Sequence, residues 1–134
     1  MAKLLDVEGI GPANADKLKK AGVGSTESLL SMGGTAAGRK DLAAKSGVSE
    51  KQILEWVNHV DLFRVKGIGE EYADLLEEAG VDTVVELAKR KADNLLAKMA
   101  EVNDKKNLVN KIPALTQVED WIAQAKKLPR AVSY

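Results

Sequence analysis

Val7-Glu8-Gly9-Ile10-Gly11 returns as Val65-Lys66-Gly67-Ile68-Gly69, at a fixed offset of 58 residues (65 − 7). The likeness runs on past the turn. Residues 7–31 laid over residues 65–89 share eleven identities in twenty-five positions. Those that follow the turn are Ala15/Ala73, Asp16/Asp74, Leu18/Leu76, Ala21/Ala79, Gly22/Gly80, Val23/Val81 and Leu29/Leu87. An internal repeat of this kind is one supersecondary unit used twice.

Outward from each turn the punctuation is helical. Pro12 suits the first turn of a helix, where its missing N–H costs nothing. That helix is expected to run to about Ala21, with Gly22 as its stop. Ser25 or Thr26 caps a short helix through Leu30 that ends at Gly33-Gly34. Another is expected over about 38–46. Ser49 opens a helix whose apolar residues Ile53, Trp56, Val57 and Val60 recur at spacings of three and four. The second copy repeats this order: a helix over 70–79 stopped by Gly80, a short one capped by Thr83, and a longer one over about 93–102. A last helix capped by Thr116 carries Val118, Trp121, Ile122 and Ala125. Glu55-Trp56-Val57 aligns with Asp120-Trp121-Ile122, so the second copy holds an insertion near 105–114. Before the first turn only Leu4-Leu5-Asp6 remains, about one helical turn.

A glycine–apolar–glycine turn between helices is the mark of the helix-hairpin-helix motif. The first glycine permits the reversal, with positive φ at no steric cost. The apolar residue pins the turn into the helix pair. The second glycine leaves the backbone bare at a helix N-terminus, where N–H groups and the helix dipole suit a phosphate. Carbonyls of such a turn can also coordinate a monovalent cation. The plain alternative is a turn that only closes a helix pair.

Charge separates the two copies. Over residues 8–21, Glu8 and Asp16 stand against Lys17, Lys19 and Lys20, a net +1. Over residues 66–79, Lys66 stands against Glu70, Glu71, Asp74, Glu77 and Glu78, a net −4. Phosphates are repelled by the second helix, so a symmetric clamp on duplex DNA is not expected. The first turn, with Lys3, Lys17 and Lys20, is the expected nucleic-acid contact. Each phosphate neutralised adds about −0.9 to the salt dependence of binding, so two or three contacts give weak, salt-sensitive binding. The same asymmetry suits a basic helix and an acidic helix pairing between chains, or an acidic face docking a basic partner.

The remaining features exclude more than they assign. The chain has 134 residues, twenty basic and twenty acidic, and no cysteine. Disulfide and thiol chemistry are therefore absent. No secretory leader is evident at the start, and no apolar run approaches the ~20 residues that span a bilayer. A cytoplasmic protein without a membrane partner is expected. His59, the one histidine, has no second histidine or cysteine to share a metal. Gly22-Val23-Gly24 lacks the lysine and third glycine of a nucleotide-binding loop. Residues 41–53 also read as a helix-turn-helix with Lys51, Gln52 and Glu55 exposed, but Glu50 and Glu55 oppose a DNA surface there.

The pattern Gly-Ile-Gly-x3-Ala-Asp-x-Leu-x2-Ala-Gly-Val resembles the helix-hairpin-helix superfamily. Residues 75–83 are similar to the small helical domains of RecA-like recombinases and of the RNA polymerase α subunit. Over nearly all of its length the chain resembles an uncharacterised bacterial family, domain-of-unknown-function family 4332. The resemblance is closest at 38–43, 53–58, 67–72 and 118–123. It implies an all-helical tandem fold, and the wider superfamily implies DNA binding without sequence readout or, less often, protein docking.

The expected fold is all-α: two tandem helix-hairpin-helix units, residues 1–64 and 65–134, packed into one compact helical domain. The expected function is a non-enzymatic module that contacts double-stranded DNA backbone through Gly9, Ile10, Gly11, Lys3, Lys17 and Lys20. The alternative is a protein–protein adaptor or self-association domain using the acidic second unit, where Gly67, Ile68, Gly69, Glu70 and Glu71 are structural or partner-binding. No catalytic residue, metal site or organic cofactor is expected.

Overall fold

A computed structural model describes residues 3–7 and 9–134. Met1, Ala2 and Glu8 lie outside the described residues, so the first turn is seen without its second residue. The described chain is all-helical, with no strand. A single 3-10 turn, Leu4–Asp6, precedes eight α-helices. These are α1 (Pro12–Lys20), α2 (Thr26–Gly33), α3 (Ala36–Ser46), α4 (Glu50–Leu62), α5 (Glu70–Glu78), α6 (Val84–Ala88), α7 (Ala92–Lys106) and α8 (Leu115–Lys127).

Contacts divide the chain into two units, Met1–Asp61 with Arg130–Tyr134, and Leu62–Pro129. The tail thus belongs with the first unit, not with the second that precedes it in sequence. In the first unit, Leu18, Val23, Leu29, Leu42, Ile53 and Val57 are almost wholly buried. In the second, Leu75, Leu76, Val81, Leu87, Met99 and Val118 fill the same role. Leu18/Leu76, Val23/Val81 and Leu29/Leu87 are repeat identities, so the shared residues are largely the shared core.

Local chemistry sets the helix ends. Ser25 Oγ accepts from the Ser28 N–H at 3.1 Å, Thr35 Oγ1 from Gly38 at 3.0 Å, and Thr83 Oγ1 from Glu86 at 3.2 Å. Each satisfies an N–H that the helix itself leaves unpaired. Gly47 closes α3 in the left-handed conformation, with φ +79°.

The observed helices differ from expectation in three places. α3 starts at Ala36 because Thr35, not a residue nearer Gly38, is the cap. α7 runs to Lys106, past the last apolar residue of its pattern, and ends on Asn107 at φ 50°. α8 starts at Leu115, one residue before Thr116. Its start is held by Gln117, whose Oε1 accepts the Ala114 N–H at 2.8 Å.

Candidate functional site

Both Gly-Ile-Gly turns are built by one hydrogen-bond frame. Val7 N–H donates to the Leu4 carbonyl at 3.1 Å, as Val65 does to Leu62 at 3.1 Å. Ile10 donates to Val7 at 3.1 Å, and Ile68 to Val65 at 3.2 Å. After the helix, Val23 N–H returns to Leu18 O and Val81 N–H to Leu76 O, both at 2.8 Å. Gly9 and Gly67 have φ +88° and +98°, and Gly22 and Gly80 have +94° and +96°. These four positions need glycine because an L side chain there crowds its own carbonyl.

Each turn rests on an indole. A Cβ placed on Gly9 lies 3.2 Å from Trp56 Nε1, and one on Gly67 lies 2.8 Å from Trp121 Nε1. The first glycine of each turn is therefore required twice, by its backbone and by the tryptophan from the last helix of its unit. Ile10 and Ile68 are buried, at 3% and 5% exposure. The second glycines differ. Gly11 and Gly69 have ordinary φ values of −84° and −99°, and each is the N-cap of its helix with no side-chain cap. A Cβ on either meets nothing within 4 Å.

The side chains around the first turn are only partly gathered. A cleft of about 370 Å³ beside it is lined by Lys3, Leu4, Leu5, Pro12, Ala15, Asp16, Lys19 and Gly24. Lys3 and Lys19 line it. Lys17 and Lys20 do not. Pro12, Ala15, Asp16 and Lys19 are spaced three and four apart, so they share one helix face. Lys17 is exposed on another side of α1, and Lys20 pairs with Asp16 at 3.2 Å. That pair is largely exposed, so it adds little stability. The charge pattern pointed to a lysine cluster. Reading helical phase from Pro12 would have singled out Lys19.

At the second turn the main chain is held from outside. Gln124 Oε1 accepts the Lys66 N–H at 2.9 Å, and its Nε2 donates to the Lys66 carbonyl at 3.1 Å. Tyr72 stacks obliquely on Trp121, ring centroids 5.2 Å apart, and its hydroxyl donates to the Lys111 carbonyl at 3.1 Å. Gly69, Glu70 and Glu71 are exposed at the start of α5. Further along the helix, Glu78 pairs with Lys106 of α7 at 2.7 Å. Among the described residues no group of three His, Asp or Glu side chains is placed to hold a metal, and no helix is long and apolar enough to cross a membrane. His59, on α4, is buried at 3% exposure.

The two Gly-Ile-Gly turns, each with its first glycine against a tryptophan, thus sit in an all-helical chain. The family model described as Domain of unknown function (DUF4332) matches residues 8–128, and the chain belongs to that family. No curated protein and no solved structure matches the chain significantly.

Proposed function

We propose that this is a non-enzymatic binding module whose first Gly-Ile-Gly turn, read as a helix-hairpin-helix, holds a backbone phosphate of DNA without reading sequence. The observation that carries the reading is Gly11. No contact within 4 Å and no positive φ calls for glycine there, yet both copies of the repeat keep one at this position. Serine or threonine caps α2, α3 and α6, and serine would cap α1 better than glycine does. A bare N-cap leaves the first N–H groups of α1 open to an anion. Lys3 and Lys19 flank the same cleft and supply the charge that the second turn lacks.

The test is binding of a short random-sequence duplex across a salt series. The native chain is expected to bind weakly and to lose affinity as salt rises. Lys3→Glu/Lys19→Glu should flatten the salt slope by about 2. Gly11→Ser should weaken binding without lowering stability, because it trades the open N-cap for a better one. Lys17→Glu/Lys20→Glu, at residues that do not line the cleft, should have the smaller effect. Absence of binding at low salt refutes the reading.

A second reading rests on unit 2. Its α5 surface is acidic, and Ile112 and Leu115 are exposed at 37% and 43%. Exposed apolar side chains and an acidic helix within one unit suit docking of a basic protein partner or a second copy. Cross-linking of the native chain, with and without Leu115→Lys, tests it, and an unchanged pattern removes it.

A further inference from the structure

We propose that the α2–α3 corner of the first unit is a binding site for extended main chain, filled by residues 131–133 of this chain and open to the same segment of a second copy. The polar contacts of the site come from Gly34, which ends α2, and from Arg39 of α3. Arg39 is buried at 5% exposure. Its Nη1 donates to the carbonyls of Gly33 and Gly34 at 2.9 and 3.1 Å, so it caps the end of α2. The corner is tight, since a Cβ on Gly38 falls 2.0 Å from the Met32 carbonyl oxygen. Two of the three carbonyl partners of Arg39 thus belong to the corner itself and one to the tail.

The tail lies on this corner as a peptide ligand does. Ser133 N–H donates to Gly34 O at 2.8 Å, and Arg39 Nη2 donates to Ser133 O at 2.6 Å. Val132 is buried at 3% exposure. A Cβ on Gly34 would lie 2.5 Å from the Ala131 carbonyl oxygen, so glycine lets the tail pass this close. One N–H, one carbonyl and one β-branched side chain are read, which is how extended segments are recognised. A tail carried on the same chain as its corner is held there at a local concentration of the order of millimolar. A millimolar solution of the chain therefore offers each corner its own tail and a neighbour's on similar terms.

The first test uses the full chain. Unlabelled protein carrying a spin label at Tyr134→Cys, an exposed position, is mixed with ¹⁵N-labelled native protein. Millimolar mixtures are expected to broaden the Gly34 amide of the labelled copy, and dilution to about 50 µM should abolish the effect. A second test frees the corner with Val132→Asp/Ser133→Pro and adds the peptide Leu-Pro-Arg-Ala-Val-Ser-Tyr. The freed chain, checked for helix content, should show saturable shifts at Gly34 and Arg39. Methylating the peptide's serine amide should weaken binding at least tenfold. No broadening at millimolar concentration overturns exchange between copies. A folded, freed chain that ignores the peptide, or binds the methylated one equally, overturns the site itself. If the freed chain does not fold, the mixing experiment alone decides.

Discussion

Replacing each glycine of the two turns by alanine, one at a time, should produce a ranked loss of stability that the backbone geometry sets. At Gly67 the new residue holds φ near +98°, at a cost of about 1–2 kcal/mol for an L side chain. Its Cβ also falls 2.8 Å from Trp121 Nε1. Trp121 is 2% exposed and packed on Tyr72, so the ring cannot swing away, and overpacking of this kind adds about 1–3 kcal/mol. Loss of glycine's freedom in the unfolded chain returns about 0.4–1 kcal/mol. The net expectation is a loss of about 3 kcal/mol. Gly9→Ala meets Trp56 Nε1 at 3.2 Å, a contact that small shifts relieve, and about half that loss is expected. Gly11→Ala and Gly69→Ala meet nothing, and the weaker N-cap, about 0.5 kcal/mol, is offset by the lost freedom of the unfolded chain, so little net change is expected. Urea unfolding followed by tryptophan fluorescence reads all four, since one indole sits against each turn. Midpoints should fall in the order Gly67, Gly9, then Gly11 and Gly69 together. A Gly11→Ala loss as large as that of Gly67→Ala would refute the assignment of distinct roles to the two glycines.

Gln124→Ala removes both bonds to the Lys66 main chain, at a cost of about 1 kcal/mol; hydrogen exchange at the Lys66 amide should accelerate while that of Leu76 is unchanged. Thr83→Ala uncaps α6, a helix of only five residues, and should cost about 1 kcal/mol in urea unfolding. Asn107→Gly relieves a left-handed residue at φ 50° and should raise stability by about 0.5 kcal/mol, seen as a higher urea midpoint; a lower midpoint would show that the asparagine side chain holds the end of α7.

What the sequence made legible was the part governed by local rules. Positive-φ glycines, Ser and Thr caps and 3.6-residue spacing are short-range signals, and they located both turns, the two tryptophans and most helix ends. α7 was harder. Beyond Val102 its residues are Asn103, Asp104, Lys105 and Lys106, so no apolar stripe marks the last turn. Asn103 instead holds the following loop through two bonds to Val109, at 3.1 and 2.9 Å. Arg39 was missed for a different reason. A charged residue on a polar helix reads as solvent-facing, and its burial depends on carbonyls left at the end of α2 and on a segment 94 residues away. The tail has no periodicity to read. Around the candidate site, the turn itself is legible in the sequence, whereas which lysines line the cleft beside it depends on helical phase, and charge alone does not give that.

The shared hydrogen-bond frame of the two turns bears on how such a chain arises. A duplicated segment keeps its shape as long as its buried leucines, valines and turn glycines survive. Every outward position is then free to drift. In this chain one copy carries a slight cationic excess and the other a marked anionic one, and the hydrogen-bond frame of the two turns is the same in both. Duplication followed by surface divergence thus yields two halves of one architecture with different surfaces, which permits specialisation without inventing a second fold.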